Sequence, residues 1–406
     1  MRRVFYAQSG GVTAVINATI VSLIRHARLE NISVYVGVNG IKGLLQKQIV
    51  NTGLLLEDDL EKILYTPGGS FGSCRYKLKA EDLPIIKDFL VKHKFDAFLY
   101  HGGNDSQDTT SQIANYLAIE HPHILCIGLP KTIDNDLHGT DNCPGFGSAS
   151  KFLNYSFRQA CLDVTSMSED STKVFILETM GRHTGWLTAS CGLAHSKEFP
   201  GPQLLLMPEL KHSLEKKLDY VNEYIKKDRF CAIAISEGYQ PNITTQSKDA
   251  FGHHQLEGSG SALAELIKKE LNVKVHLSIP DYLQRSFTPC LSKTDFDQAQ
   301  AIGHYSIYCI KHNIGHNTMI SIVRLHDDPY LWSLDHTPLN KVANQEKAVP
   351  RSFLDKTGFA LSEIGLNYFK PLIAGNVAIP QDSNYFEKFW THLLQKKNEF
   401  IDHSFQ

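Results

Sequence analysis

Short apolar runs recur along this chain, each followed by a polar or glycine-bearing turn and then a helical pattern. Nothing else in the sequence restricts the fold so tightly. The runs 4–7, 34–38, 95–100, 124–129, 174–177, 204–207, 232–235, 273–277 and 319–323 read as strands. Strands alternating with helices through short turns predict an α/β fold of mostly parallel sheets flanked by helices on both faces. In such sheets ligands bind beyond the carboxyl ends of the strands. A long helical pattern over 145–172 precedes a fresh series of strands and suggests a domain change there, while the region after Asp327 carries irregular loops and helical patches.

The residues just past the strands are chemically rich. Ser9-Gly10-Gly11 closes the first run and opens a helix expected near Thr13; its N–H groups can cradle a phosphate, or it is simply a glycine turn. The loop Gly68-Gly69-Ser70-Phe71-Gly72-Ser73-Cys74-Arg75 ends in a guanidinium suited to a phosphoryl group, or else to solvent. His101-Gly102-Gly103-Asn104-Asp105-Ser106 and Pro130-Lys131-Thr132-Ile133-Asp134-Asn135-Asp136 each follow a buried run. Asp134 and Asp136 can share a cation or take a hydroxyl proton, although an Asx-rich turn is the plainer reading of a lone pair. Met180-Gly181-Arg182-His183 is expected to start an amphipathic helix with Trp186, Ala189 and Leu193, where an arginine gains nothing from the helix dipole and so suggests an anion. Tyr282-Leu283-Gln284-Arg285 offers a phenol and a guanidinium.

Composition narrows the class. At 406 residues the chain can hold two domains, and a formal net charge of -2 argues against an extended nucleic-acid surface. No run approaches a membrane span, and the strand, glycine turn and helix at the N-terminus fit better than a secretion signal. The eight cysteines form no CxxC pair and read as reduced core thiols of a cytoplasmic protein. His253-His254 and His121-Pro122-His123 lack partners at metal-ligand spacing.

Taken together, these segments resemble the phosphofructokinase family, especially its pyrophosphate-dependent branch. SGG at Ser9, GGSFGSCR ending at Arg75, GGNDS at Gly102, PKTIDND at Pro130, MGR at Met180, SEG at Ser236 and YLQR ending at Arg285 follow in the family's order. The resemblance implies two similar domains with the active site in the cleft between them. Residues 1–148 with about 284–335 would hold the phosphoryl donor, and 149–283 with about 336–406 the sugar phosphate. It implies Asp134 as the base toward the 1-hydroxyl of fructose 6-phosphate, Thr132 at the phosphoryl region, and Asp136 as the supporting carboxylate. Met180, Gly181, Arg182, Glu237, Tyr282 and Arg285 match sugar-phosphate positions. Gly11, Arg75, Gly103, Asn104, Asp105, Ser106 and Lys131 face the donor. Mg2+ as cofactor, a homodimer or homotetramer, and no nucleic-acid or membrane partner complete the implication.

Donor choice rests on two positions. ATP-dependent members of the family usually carry glycine where this chain has Asp105 and Lys131. An aspartate at the first obstructs and repels a nucleotide, and a lysine at the second attracts compact inorganic pyrophosphate. An ATP-dependent 6-phosphofructokinase and a non-catalytic regulatory subunit are the alternatives. Asn104 stands where the family often has a magnesium-associated aspartate, so it is the expected metal residue, offering a carbonyl oxygen with one negative charge fewer. Lys173 and His276 occupy places where ATP-dependent members have arginines that reach a neighbouring subunit.

Overall fold

The computed structural model describes residues 1–196, 199, 201–239, 247–248, 254–255, 258–379 and 397–405. Its strands are β1 (Arg3–Gln8), β2 (Ser33–Gly37), β3 (Ile49–Asn51), β4 (Ala97–Gly102), β5 (Leu125–Pro130), β6 (Val174–Thr179) and β7 (Leu204–Leu206). They continue with β8 (Cys231–Ser236), β9 (Ser247–Lys248), β10 (His254–Gln255), β11 (Val275–Ser278), β12 (Thr318–Asp327) and β13 (Tyr330–Pro338). One sheet runs β13-β12-β5-β4-β1-β2-β3, parallel from β12 to β2 with antiparallel strands at both edges. A second sheet, β11-β6-β8-β7, is parallel throughout. Every residue of β4, β5, β6 and β8 is buried, which is why these strands read as unbroken apolar runs.

All the expected strands form. The sequence reading missed β3 and β13, edge strands of the first sheet, and the two-residue strands β9 and β10, which pair with each other. β3 has three residues, and β13 is a mixture of half-buried and exposed side chains without a continuous apolar signal. Two helix expectations need correction. The first helix is Ile16–Leu29, because Thr13 to Val15 form a turn in which the Ile16 N–H donates to the Thr13 carbonyl at 3.2 Å. The helix after Met180 is the short Trp186–Ser190, buried on all sides rather than amphipathic, and Arg182 lies ahead of it in a left-handed turn with φ of 53°. The His253 position lies outside the described residues.

In the first sheet the chain leaves β1 toward β2 on one side and later returns as β4 on the other. The crevice between the ends of β1 and β4 is therefore a topological switch point, the place where such sheets take ligands. The Ser9 N–H donates to the His101 carbonyl across it at 3.0 Å. The Phe146–Met167 helix, buried through its first nine residues, leads from this sheet into the second. Its start is fastened by Asp295, on the Lys293–His312 helix, whose carboxylate accepts from the Gly145 N–H at 2.8 Å and the Ser148 N–H at 2.9 Å. Lys293–His312 in turn lies against Ile16–Leu29 so closely that a Cβ on Gly303 would sit 2.2 Å from the Thr19 carbonyl oxygen. Among the described residues no helix is long and apolar enough to cross a membrane. All eight cysteines are free thiols.

Asp295→Ala leaves two buried helix N–H groups without an acceptor, so the stability measured by urea unfolding should fall by roughly 2–4 kcal/mol.

Candidate active site

The cavity that opens at the switch point encloses about 430 Å³ and is lined from both sheets. Its wall begins with the Ser9-Gly10-Gly11 turn. Gly10 has φ of 75°, and a Cβ on Gly11 would lie 2.6 Å from Arg285 Nη1, so side chains are excluded there by backbone conformation and by crowding. The Gly68 to Arg75 loop is docked on this turn. Ser73 Oγ donates to the Gly10 carbonyl at 2.6 Å and the Gly10 N–H donates to the Cys74 carbonyl at 3.0 Å. Asn17, inside the first helix, holds the base of the same loop. Its amide donates to the Thr66 and Gly68 carbonyls and accepts from the Ser70 N–H. Arg75 is brought to the cavity by these contacts.

The Asn104–Leu117 helix points its N-terminus at the cavity, placing Gly103, Asn104, Asp105 and Ser106 on the wall. Gly102 is required sterically, since a Cβ there would meet Ser106 Oγ at 2.0 Å. A Cβ on Gly103 would make only ordinary contact, so this glycine leaves its backbone approachable. Ser106 Oγ donates to Ser9 Oγ at 3.1 Å. Asn104, expected to offer its oxygen to a cation, has both ends of its amide engaged. Nδ2 donates to the Gln345 carbonyl and Oδ1 accepts from the Asn344 N–H, each at 2.6 Å.

Lys131 is 2% exposed, and its ammonium donates to the Ser9 carbonyl and, at 2.5 Å, to that of Gly11. Burial, reinforced by the charge of Arg285, pushes it down to about 7. Asp134, whose N–H donates to Thr132 Oγ1 at 3.1 Å, lies on the floor with Asp136. Burial raises both carboxyls. Asp136, which also faces the charge of Asp134, is pushed up to about 7. Its Oδ1 is buried without a hydrogen-bond partner.

From the second sheet come Met180, Arg182 and Glu237. Glu237 follows β8 and accepts from the N–H groups of Gly181 at 3.0 Å and Arg182 at 2.9 Å, which holds the left-handed turn; burial pushes its carboxyl up to about 7. Gly181 thus lies behind the wall rather than on it. Gln284 supports the same turn by accepting from the Met180 N–H at 3.0 Å. Arg285 reaches the cavity, with its guanidinium 4.1 Å over the Tyr282 ring. Tyr282 does not line the cavity and is 59% exposed, so its contact with the site runs through Arg285.

Sequence reasoning missed Val12, Ile133, Asn344 and Glu346 on the wall. Ile133 falls inside a recognised motif and Val12 directly follows one. The last two come from an irregular segment more than two hundred residues from Asn104, with no local pattern to announce them.

Four basic side chains, Arg75, Lys131, Arg182 and Arg285, line the same cavity as the half-buried carboxyl pair of Asp134 and Asp136. This arrangement defines a phosphotransferase that holds two anionic substrates at once. The chain belongs to the phosphofructokinase family, whose model matches residues 3–309. A relative from Xanthomonas campestris pv. campestris, named pyrophosphate–fructose 6-phosphate 1-phosphotransferase, is 44% identical over 400 residues, covering 95% of this chain and 94% of the relative. One of the same name from Halomonas elongata is 41% identical over 410 residues, 97% of each chain. The crystal structure of a pyrophosphate-dependent phosphofructokinase from Marinobacter aquaeolei superposes with a TM-score of 0.86 at 40% identity, covering 94% of both chains.

The two carboxyls titrate as a pair whose ionisation is opposed by burial and by mutual repulsion. The rate limb on the acid side should therefore lie above the ordinary carboxylate range. Asp136→Asn removes the repulsion, so the limb in kcat/KM against pH should move to lower pH. A limb that stays in place would separate Asp136 from the titration.

Proposed function

We propose that this chain catalyses reversible phosphoryl transfer from pyrophosphate to the 1-hydroxyl of fructose 6-phosphate, giving fructose 1,6-bisphosphate and phosphate. The observation that carries the reading is that Asp105 and Lys131 line the same cavity as Asp134, Arg182 and Arg285. Asp134 takes the proton of the 1-hydroxyl as its oxygen bonds to the nearer phosphorus. The bridging P–O bond breaks, and the leaving phosphate departs into the donor half. Lys131 has a third N–H left for the donor after its two carbonyl contacts, and Gly103 offers approachable backbone at the helix N-terminus to the same group. Arg75 neutralises the transferring phosphoryl, while Arg182 and Arg285 hold the sugar phosphate beside Met180 and Glu237.

Residues 1–148 with about 284–335 form the donor half in this reading, and the rest of the chain the acceptor half. The enzyme works in the cytoplasm as a homo-oligomer. Magnesium fits the donor set present, because Asp105 and the unpartnered Oδ1 of Asp136 suit a hard cation that keeps phosphate and water oxygens as its other ligands. When bound, it supplies charge neutralisation for the pyrophosphate.

Turnover of pure protein with pyrophosphate against ATP tests the reading, with faster use of ATP or inactivity with both as the overturning results. Asp134→Ala should lower kcat by about 10²–10⁴ with fructose 6-phosphate binding nearly intact, the loss typical of a general base. Asp105→Gly with Lys131→Gly should weaken pyrophosphate use and uncover ATP-dependent turnover, measured as kcat/KM for both donors. The lysine change should do most of the damage to pyrophosphate, since it also frees the Ser9-Gly10-Gly11 turn.

A further inference from the structure

The segment 344–349 crosses the cavity between the two sheets and is fastened at nearly every residue. On the donor side Asn104 holds it by both ends of its amide, and Asn344 Nδ2 donates to Asp108 Oδ1 at 3.2 Å. In the middle the Lys347 N–H donates to the Asp136 carbonyl at 2.8 Å. On the acceptor side Trp186 Nε1 donates to the Lys347 carbonyl at 2.6 Å, and Glu209 accepts from the Val349 N–H at 3.1 Å and the Gly185 N–H at 2.9 Å. Between these anchors Glu346 reaches the cavity, with Oε1 2.9 Å from His183 Nδ1.

A carboxylate in a cavity for two anions needs a reason, because it repels both phosphates. The reason lies in the non-ionic part of the acceptor, a polyhydroxy chain whose O–H groups a carboxylate accepts strongly. Glu346 stands within the field of Asp136, on the wall where the acceptor's hydroxyls come to Asp134. His183 occupies one of its oxygens and leaves the other for a hydroxyl. Resting on the reading above, we infer that Glu346 binds a hydroxyl of the sugar acceptor, and that Asn104 is the positioning residue whose amide latches the strap that delivers it. The latch explains an asparagine rather than an aspartate at position 104. Only an amide can donate to the Gln345 carbonyl while accepting from the Asn344 N–H; an aspartate would set a charged oxygen against that carbonyl.

Steady-state kinetics on the full chain test both parts. Glu346→Ala leaves the backbone anchors in place, so it should raise KM for fructose 6-phosphate about tenfold, with KM for pyrophosphate and kcat within about twofold, and Glu346→Gln should recover most of the loss. Asn104→Asp should show the same acceptor-only change, and the double variant Asn104→Asp with Glu346→Ala should be no worse than Glu346→Ala alone, because one residue acts through the other. An unchanged KM for fructose 6-phosphate in Glu346→Ala, or a rise confined to pyrophosphate, overturns the acceptor role. A lower magnesium requirement in Asn104→Asp with unaltered acceptor KM overturns the latch and makes residue 104 a metal position. Wild type without pyrophosphate turnover defeats the functional reading separately. Calorimetric titration of fructose 6-phosphate into wild type and Glu346→Ala, with no donor present, then decides the acceptor role, which stands if the variant binds more weakly and falls if the two bind alike.

Discussion

The Lys131 ammonium, buried between the ends of β1 and β5, sets the geometry on which the site depends. Its hydrogen bonds run to the carbonyls of Ser9 and Gly11, so the glycine turn takes its shape around a charge. Removing an ammonium from water costs several kcal/mol where compensation is incomplete, and here it is supplied by two aligned backbone dipoles and the charge of Asp134. The same group that shapes the empty turn is the one best placed to meet an anionic donor. Its depressed affinity for the proton reflects that preparation: in the absence of an anion the charged form is held against its own desolvation.

The carboxyls respond to the same crowding in the opposite direction. Asp134, Asp136 and Glu237 are raised chiefly by burial, and the arginines that oppose this do not fully offset it. Lys131 and Arg285 on one hand, and Asp134, Asp136 and Glu237 on the other, therefore all resist ionisation in the empty cavity. Such mutual frustration is expected where function rather than stability selected the residues.

Around this centre the two sheets are fixed by contacts at a distance. Asp295 anchors the Phe146–Met167 helix, Arg285 carries a guanidinium from the far sequence onto Gly11, and the strap at 344–349 spans both sides. Each joins segments remote in sequence, so the cavity's shape belongs to the assembled chain rather than to any motif.

Much of this architecture was legible in the residues. Strands buried on both faces announce themselves as apolar runs, so β1, β4, β5, β6, β7 and β8 could be read directly, and the partly buried β2, β11 and β12 kept enough apolar residues to be read with them. The motifs after them pointed to one carboxyl edge because parallel strands share a direction. Edge strands β3 and β13 lacked that signal, since solvent on one side removes the need for unbroken apolarity. Type and order of the residues that line the cavity were likewise local properties, legible at Gly11, Arg75, Asp105, Lys131, Asp134 and Arg182. Orientation was not. Whether Asn104 faces a cation or a backbone strap, whether Tyr282 meets substrate or only Arg285, and whether Glu346 belongs to the site at all depend on which distant segment comes to lie opposite. Hydrogen bonds across hundreds of residues leave no periodicity in the sequence, and so the packed chain alone decided them.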